Sequence, residues 1–471
     1  MITETELREA IYNKYILPTE RERKTVAGAE FEFPVVNING DDDYQITEPV
    51  DFDVIHDLAN QFSSHFGFSE ILLDDQGDIY NAADPKTGDA ISFDCSYNTI
   101  ELSLGVRDDF NDINDVFHTY YDFIQNILLK SGHMMTGLGI NPGYRVNKIE
   151  PVPTGRYRML LHHLKSYKHY GNAIQFHDYP HFGLFSCASQ VQLDAEKEDL
   201  VETLNTFTKL EPLKALLFAN SVFDADEHHR FNVSRDYLWR QSMHGLNMHN
   251  VDDYNIKLHS IDELISYIES MSLYCLERDD KYINFRPTVL TDYFSHDSMN
   301  GEYYDNDTQS YKQITFQPVI SDLDYLRSFK FNDLTFRGTI EFRSICEQPV
   351  RDVMTPAAFH LGLAMKLHEL TDLLDSDKVI YQHGYSVSEL RRLFVARDLP
   401  SFFNRDGAAS LLIKVLELAK AGLSERGLHE EQFLEPLFVR VEKRTNPAEE
   451  MIRKESDGVP IKEIIKDFAS V

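Results

Sequence analysis

The sequence predicts an α+β fold built around an antiparallel β-sheet. Short strand-like segments interleave irregularly with amphipathic helices, and no regular βαβ period is present. Four of the strands alternate apolar and polar side chains, which is typical of a sheet with one buried and one accessible face. From Pro356 onward the pattern is almost entirely helical. These three observations favour a sheet-bearing region followed by a helical C-terminal region.

The elements are predicted in chain order as follows. A helical lead-in covers residues 1–24. Apolar residues at helical spacing predict further helices, which lie at 51–67, 108–132, the end of 151–164, 198–218 and 261–276. Strands are predicted at 27–38, at 90–104 (two strands with a turn near Asn98), at 187–194 and at 337–345. The polar segment 291–312 is predicted to be a mobile loop.

Composition limits the class of protein. A length of 471 residues allows about three domains or one large fold. A hydrophobic content of 42% supplies ample core material. The formal net charge of −31 argues against nucleic-acid and anionic-membrane partners, because both are bound through clustered Lys and Arg. An anionic substrate such as ATP then needs a metal ion or local Arg residues.

The cysteines and the chain start indicate the compartment. Four cysteines are far apart and form no CxxC pair, so neither a disulfide framework nor a zinc knuckle is predicted. A reducing, cytoplasmic compartment is expected. The first residues are charged, so no signal peptide is expected, and no apolar run reaches the roughly 18 residues of a membrane span.

Polar side chains recur at alternating positions of four predicted strands. In the strand at 27–38, Glu30 and Glu32 share one face and Phe31 and Phe33 share the other. The same alternation gives the other strands polar faces that carry Glu101, Gln190, Gln192, Glu341 and Arg343. A solvated sheet face would explain any one strand. The predominance of carboxylates instead favours a cation site, because close carboxylates repel each other unless they are neutralised.

This pattern predicts a metal–nucleotide site. Carboxylate oxygens suit Mg²⁺, which usually bridges protein carboxylates to substrate phosphates. Arg343, beside Glu341, suits a phosphoryl oxygen as a forked donor. No Walker loop is present, and no motif supports Ser- or Cys-based nucleophilic catalysis.

The same segments resemble the glutamate–cysteine ligases of plant and proteobacterial type. AGAEFEF is similar to the family's Gly-x-Glu-x-Glu start, TIELSLG to its Phe-Glu-Leu-Ser strand, and SCASQVQLD to its Thr-Cys-x-x-Gln-Val-Asn-Leu-Asp strand. Further similar segments follow in the family's order: GLGINPGY, PVPTGRYRML, ALLFANSVF, VSRDYLW, SLYCLERDDKYIN, IEFRS, LELAKAGLSERG and TNPAEEMI. The resemblance spans roughly residues 25–455.

The resemblance implies a curved, glutamine-synthetase-like antiparallel sheet with helices on its outer side. It also implies a single catalytic domain over 1–471, with a sheet-bearing core at 25–345 and a mainly helical part at 346–471. The implied reaction joins the γ-carboxylate of glutamate to the amine of cysteine through a γ-glutamyl phosphate, at the expense of ATP, for glutathione or related thiol biosynthesis. A monomer or homodimer is expected.

The resemblance further implies roles for individual residues. Glu341 and Arg343 are the expected catalytic residues. The expected ligands of Mg²⁺ or Mn²⁺ are Glu30, Glu32, Glu101, Glu341 and Gln190. ATP is expected to contact Gln190, Gln192 and Arg343, and the amino-acid substrate to contact Arg156, Arg235, Trp239 and Tyr274.

Some positions depart from the family pattern and leave the amine acceptor open. Gln192 stands where the family has Asn, and the stretch 286–336 matches poorly. A γ-glutamyl ligase for another amine is therefore the main alternative. A non-catalytic binding protein is disfavoured by the retained carboxylates, and a metal hydrolase by the lack of a His-rich ligand set.

Overall fold

The computed structural model describes residues 2–171, 173–223 and 230–471. Among them, helices and strands alternate over the first three quarters of the chain and helices alone follow. The predicted α+β class is thereby confirmed. None of the helices within the described ranges combines the length and the apolar character that a membrane span requires.

The strands form three sheets. Their bounds are β1 Ala27–Asn37, β2 Glu70–Leu73, β3 Ile79–Ala83, β4 Ala90–Ser92, β5 Thr99–Arg107, β6 His133–Met135, β7 Ser189–Asp194, β8 Val251–Asp252, β9 Ser272–Arg278, β10 Lys281–Val289, β11 Met299–Asp305, β12 Ser310–Phe316, β13 Phe329–Lys330, β14 Asn332–Leu334 and β15 Thr339–Phe342. The large sheet has the order β14-β15-β7-β1-β5-β4-β3-β2, with β6 also paired to β1. A smaller sheet has the order β12-β11-β10-β9, and β8 pairs with β13.

The two larger sheets are antiparallel at every described pairing, as predicted. The short β8–β13 pair is parallel. β1 is central in the large sheet because it pairs with β5 on one side and β7 on the other. Residues from Ala27 to Phe31 of β1 therefore lie between two flanking strands.

The helices surround these sheets. Their bounds are α1 Glu4–Ile11, α2 Phe52–Phe66, α3 Phe110–Leu128, α4 Gly155–Lys165, α5 Leu200–Leu217, α6 Ser234–Arg240, α7 Ile261–Glu269, α8 Leu290–Tyr293, α9 Thr355–Ala364, α10 Leu367–Ser376, α11 Val387–Phe394, α12 Arg405–Arg426, α13 Glu435–Lys443, α14 Pro447–Ser456 and α15 Ile461–Phe468.

Helices cover the apolar face of the large sheet. Phe31 of β1 packs against Phe117 of α3 with ring centroids 5.2 Å apart. Phe342 of β15 packs against Phe207 of α5 at 4.6 Å and against His360 of α9 at 4.3 Å. Burying these rings removes large apolar areas from water and stabilises the sheet from one side. The opposite face of the same strands is left to polar side chains.

Two predicted elements are wrong. The predicted helix over 261–276 ends at Glu269, and the chain continues from Ser272 as the buried strand β9. The predicted loop over 291–312 is ordered: it contains the end of α8 and the antiparallel hairpin of β11 and β12. Both errors concern the smaller sheet, whose strands lack the clear alternation of the large one.

Candidate active site

Cross-strand pairing brings the predicted polar residues side by side on one face of the large sheet. Glu32 of β1 lies directly opposite Glu101 of β5. On the other flank, Glu30 lies opposite Gln190 of β7. One strand further, Gln192 of β7 lies opposite Glu341 of β15. The alternation in the sequence thus corresponds to one continuous patch of carboxylate and amide groups.

A cavity of about 530 Å³ opens over this patch. All predicted site residues except Gln192 contribute to its wall: Glu30, Glu32, Glu101, Arg156, Gln190, Arg235, Trp239, Tyr274, Glu341 and Arg343. We call this space the front cavity. The predicted residues are therefore brought together, although they come from segments spread over more than 300 positions of the chain.

Amide side chains link the carboxylates. Gln190 Nε2 donates a hydrogen bond to Glu32 at 2.7 Å. Gln192 Nε2 donates to Glu30 at 3.2 Å and to Glu341 at 3.0 Å, so one amide group connects two strands. Gln192 lies outside the cavity wall, and its Oε1 accepts hydrogen bonds from Arg337 at 3.1 Å and from Thr339 at 3.4 Å. The bonds that the two amide groups donate hold the carboxylates in fixed positions without neutralising them.

Burial, together with the proximity of other acids, raises the pKa values of these carboxyl groups. Burial, followed by repulsion from Asp94 and Glu101, raises the pKa of Glu32 to about 8. Burial, followed by Asp94, raises the pKa of Glu101 to about 7. The pKa of Glu30 is raised well above its ordinary value by burial and then by Glu101 and Glu341. Protons or cations must offset this repulsion at neutral pH.

Three of the carboxylates are arranged as metal ligands. One oxygen each from Glu32, Asp94 and Glu101 lies within 4.8 Å of the other two. Hard carboxylate oxygens are the ligand set that a divalent cation such as Mg²⁺ prefers. The donor chemistry of this cluster therefore fits a magnesium or manganese ion. Glu30 and Glu341 lie beside the cluster, where they contact Gln192.

Asp94 is a site residue that the sequence interpretation missed. It is the second residue after β4, and Ser92 at the end of β4 lies opposite Glu101. Because side chains alternate along an extended chain, Asp94 points to the same face as Ser92. The spacing Ser-Phe-Asp was the available signal, since Phe93 is fully buried on the other side.

The end of the patch at β15 combines an arginine with two acids. Arg343 forms an ion pair with Glu341. Asp333 of β14, which sequence interpretation also missed, lies opposite Glu341 across the strand pair. Burial raises the pKa of Asp333 to about 7, with a further contribution from Glu341 that Arg343 opposes. The guanidinium is thus available to an anionic ligand only in competition with carboxylates.

The predicted amino-acid pocket forms the other end of the front cavity. Arg235 of α6 is 8% exposed, and it donates from Nε to Ser186 at 3.0 Å and from Nη1 to the Ile345 carbonyl at 3.2 Å. Trp239 stacks on Phe329 with ring centroids 4.7 Å apart. Tyr274 stacks on His163 at 4.0 Å. These contacts hold a cation and two aromatic rings at fixed positions.

Residues of β10 and of the segment 327–329 complete the wall. Tyr282 of β10, Arg327 and Phe329 all line the front cavity. Sequence interpretation missed them because it placed β9 in a helix and found no element between 312 and 337. Arg156 on α4 lies in the same wall, and its guanidinium carbon is 5.3 Å from the Tyr157 ring centroid.

Comparison with known proteins identifies the family. The model of glutamate–cysteine ligase family 2 (GCS2) matches residues 26–467 of this chain. Chloroplastic glutamate–cysteine ligase A of Oryza sativa subsp. indica is 22% identical over 409 residues, which cover 86% of this chain and 77% of the relative. The chloroplastic glutamate–cysteine ligase of Solanum lycopersicum is 21% identical over 411 residues, covering 86% and 72%.

Glutamate–cysteine ligase from Francisella tularensis in complex with AMP superposes with a TM-score of 0.49 and 12% identity, covering 96% of this chain and 89% of that chain. The ligase PafA in complex with the ubiquitin-like protein Pup gives a TM-score of 0.38 at 9% identity, covering 98% and 68%. The family match over nearly the whole sequence confirms the predicted resemblance, and the chain belongs to glutamate–cysteine ligase family 2.

Proposed function

We propose that this protein is an ATP-dependent ligase that joins the γ-carboxylate of L-glutamate to the amine of L-cysteine. The observation that carries the proposal is the clustering of Glu32, Asp94 and Glu101 within one cavity that also contains Arg343 and Arg235. Family membership supports the same reaction. The product is γ-glutamylcysteine, a precursor for glutathione or a related thiol.

The proposed reaction has two steps. A γ-carboxylate oxygen of glutamate attacks the γ-phosphorus of ATP, the bond to the bridging oxygen breaks, and ADP leaves. The amine nitrogen then attacks the acyl carbon of the γ-glutamyl phosphate, phosphate leaves with the bonding electron pair, and the nitrogen loses a proton. Positioning and charge neutralisation supply most of the catalysis in reactions of this kind.

Different residues of the front cavity bind the phosphoryl group and the amino acid. Arg343 neutralises charge on the transferring phosphoryl group, while Glu341 orients its guanidinium. Arg235 binds the α-carboxylate of the amino acid, and Trp239 and Tyr274 form the aromatic wall that excludes water. Arg156 adds a second positive charge to this pocket.

A divalent cation is part of the proposal. Glu32, Asp94 and Glu101 would hold Mg²⁺ or Mn²⁺, with Glu30, Glu341 and Gln190 as further candidates. When bound, such an ion neutralises the carboxylates and the polyphosphate of ATP together. Gln190 and Gln192 fix the carboxylates in place for this purpose.

The proposal also covers the domain organisation, cellular location and oligomeric state of the enzyme. We treat residues 1–471 as one catalytic domain, because a single hydrophobic core runs from Leu7 on α1 to Ala448 on α14. A cytoplasmic location is supported by the four cysteines, which are all buried and free. We expect a monomer or homodimer that acts on small molecules and binds neither nucleic acid nor membranes, in keeping with the net charge of −31.

Another amine is the alternative acceptor. Arg327 and Phe329 belong to the stretch 286–336, which resembles the family poorly, yet they line the front cavity. A change in this wall alters which amine fits, while the carboxylates and Arg343 stay the same. The ATP-dependent activation of glutamate is common to both candidates.

A panel of amines read by ADP release tests both candidates. Purified protein with ATP, Mg²⁺ and glutamate is expected to release ADP rapidly only when an acceptor is present, and fastest with cysteine. Glu341→Gln is the matched inactive control. Faster release with another amine selects the alternative acceptor, and no release with any amine while ATP still binds contradicts ligase function.

A further inference from the structure

Four charged side chains form a buried cluster between α5, α6 and α11. They are Glu211 and Lys214 of α5, Asp236 of α6 and Arg391 of α11, and none of them is more than 3% exposed. We call this group the ion cluster. Of its four members, Asp236 contributes to the wall of the front cavity and the other three lie behind that wall. The reaction proposed above uses none of the four.

Arg391 lies at the centre of the ion cluster. Its Nε and Nη2 donate to the two carboxylate oxygens of Asp236 at 2.7 and 3.1 Å. Its Nη1 donates to the Glu211 carboxylate at 2.6 Å and to the Glu211 carbonyl at 2.9 Å. The other Glu211 carboxylate oxygen accepts from Lys214 Nζ at 2.6 Å. The planar fork of one guanidinium therefore fixes the position of α6 relative to α5.

Stability alone is a weak reason for such a cluster. Burying charges costs free energy, and replacing a buried ion pair by apolar residues of similar volume is often neutral or stabilising. The contacts of the ion cluster lead elsewhere, to the residues that directly follow Arg235 and Arg343 in the chain. These are the two arginines to which the proposed reaction assigns the amino acid and the phosphoryl group.

The first contact leads to Arg235. Asp236 follows Arg235 on α6, and adjacent residues of a helix point about 100° apart. Arg391 therefore holds α6 through Asp236, while Arg235 extends into the wall of the front cavity. Trp239, one turn further along α6, lies in the same wall. A change in the position of Asp236 moves both of these side chains.

The second contact leads to Arg343. Ser344, the next residue, accepts a hydrogen bond at its carbonyl from Arg391 Nη2 at 3.4 Å. The Ser344 hydroxyl donates to the Glu211 carboxylate at 3.2 Å. Both the backbone and the side chain of this residue are thus bound to the ion cluster.

Two further contacts strengthen the link between the arginines. The carbonyl of Ile345 accepts from Arg235 Nη1, so Arg391 and Arg235 bind consecutive carbonyl groups directly after Arg343. The Arg391 guanidinium carbon also lies 4.3 Å from the ring centroid of Phe331. The carbonyl of Phe331 accepts from the backbone N–H of Arg343 at 2.9 Å. The segment that carries Arg343 is therefore fixed from two sides.

We propose that Arg391 is a positioning residue that sets the placement of Arg235 and Arg343 relative to each other. Arg235 binds the α-carboxylate of glutamate and Arg343 neutralises the transferring phosphoryl group. The spacing between these two groups therefore determines how well the γ-carboxylate meets the γ-phosphate of ATP. The positioning stands on the contacts of the ion cluster, and its effect on the reaction rests on the proposed function.

The fluorescence of Trp239 tests the positioning without any substrate. Trp239 is the only tryptophan of the chain, so its emission reports on α6. Arg391→Lys keeps the charge and loses the fork, and it is expected to raise the Stern–Volmer constant for acrylamide quenching about twofold in the folded protein. Arg426→Lys is the matched control, because Arg426 forms a buried ion pair with Glu430 at 2.6 Å outside the front cavity. Equal quenching in Arg391→Lys and in wild type overturns the proposal.

Steady-state kinetics test the consequence for the reaction. Arg391→Lys is expected to raise the KM for glutamate about tenfold and to lower kcat about tenfold, because small misplacements of binding groups have effects of this size. Arg426→Lys is expected to lower the melting temperature and to leave both constants unchanged. A folded Arg391→Lys protein with the KM and kcat of wild type has lost a structural contact only, and this result overturns the proposal.

A double-mutant cycle connects the effect to Arg235. If Arg391 acts through Arg235, the two substitutions Arg391→Lys and Arg235→Lys together raise the KM for glutamate by less than the product of their single effects. A combined effect equal to that product shows that the two residues act independently and overturns the proposal.

A second variant covers the case in which Arg391→Lys does not fold. Asp236→Asn keeps the side-chain shape and removes the charge that the fork binds, and it is expected to raise the KM for glutamate about threefold together with the quenching of Trp239. Wild-type values of both quantities in this variant overturn the proposal. Absence of turnover in the wild-type protein contradicts the ligase proposal alone, since the quenching of Trp239 needs no turnover.

Discussion

The two faces of strand β1 differ sharply in chemical character, since one is apolar and the other is acidic. Phe31 and Phe33 point toward α3 and are fully buried. Glu30 and Glu32, their immediate neighbours in the chain, point into the front cavity. The apolar face gains free energy from burial, whereas the acidic face loses free energy through burial of charge and through repulsion. Stability and chemistry are therefore supplied by opposite sides of one strand.

The pairing of Glu32 with Glu101 shows how far the acidic face departs from a face built for stability. Like charges directly opposite in an antiparallel pair destabilise a sheet. Burial and then repulsion from Asp94 raise the pKa values of both residues, and Glu101 adds to the shift of Glu32. Packing of the helices on the other face must offset this loss of stability. Substitutions on the apolar face are therefore expected to lower stability, and those on the acidic face to lower activity.

Removing a ring from the apolar face should have the largest effect. Phe31→Ala is expected to lower the free energy of unfolding by about 3–5 kcal/mol, because it leaves a cavity beside Phe117. Chemical denaturation measures this loss. Val106→Ala, at a residue of β5 that is 66% exposed, is the control and should change stability by less than about 0.5 kcal/mol. Similar losses in the two variants would contradict the division between faces.

Removing a charge from the acidic face should damage activity rather than stability. Glu32→Gln is expected to lower kcat/KM by about 100- to 1000-fold, as for loss of one preorganised electrostatic group, while the free energy of unfolding stays within about 1 kcal/mol of wild type. Initial rates of ADP release and denaturation curves provide the two measurements. Glu70→Gln, on the exposed strand β2, should leave both unchanged. A destabilised Glu32→Gln protein with normal turnover would reverse the assignment.

Magnesium binding should depend on pH through the same acids. Glu32 and Glu101 have pKa values raised from 4.5 to about 8 and about 7. The folded protein therefore retains protons that the unfolded chain releases, and the metal-free protein loses stability as the pH rises from about 4.5 to 8. Mg²⁺ displaces these protons, so its affinity should rise about tenfold between pH 6 and 7 for one displaced proton.

Titration calorimetry with Mg²⁺ in buffers of different ionisation enthalpy measures the affinity and the proton release together. In Glu32→Gln the dependence on pH should become shallower. An affinity for Mg²⁺ that stays constant from pH 6 to 8 would show that these carboxylates are not the ligands.

The smallest effect is expected at the amide that links two carboxylates. Gln192→Leu removes the hydrogen bonds to Glu30 and Glu341, and turnover should fall about fivefold because both carboxylates gain freedom. Steady-state kinetics with glutamate and ATP varied separately would locate the loss. Gln76→Leu, at an exposed turn position, is the matched control. No difference between the two variants would assign Gln192 a purely structural role.

The large sheet and its polar face could be predicted from sequence because alternation is a local signal. Glu30, Glu32, Gln192 and Glu341 each lie between apolar neighbours in the sequence. A period of two is diagnostic of a strand with two unlike faces. The prediction that they lie close together in the sheet came from the family resemblance, because no local sequence pattern indicates which strands pair. The observed register then placed them in contact.

The smaller sheet could not be predicted because its local signals are ambiguous. β9 is buried on both faces over Ser272–Leu276, and a short, continuous buried run cannot be told from the end of a helix. The β11–β12 hairpin is largely polar on both faces, so it has no alternation to detect. The parts of the front cavity that these elements shape were missed for that reason, as was Asp94, which lies just beyond a three-residue strand.

The register of β1 against β5 determines whether a misfolded form of the protein can be stable. Residues from Ala29 to Pro34 pair one to one with residues from Thr99 to Leu104. If the register of β1 shifted by one residue, Glu30 and Glu32 would point toward α3, and Phe31 and Phe33 would point into the front cavity. Such a chain would bury two charges and lose its core at once. A compact fold with β1 in the shifted register is therefore unstable, and molecules that form it unfold.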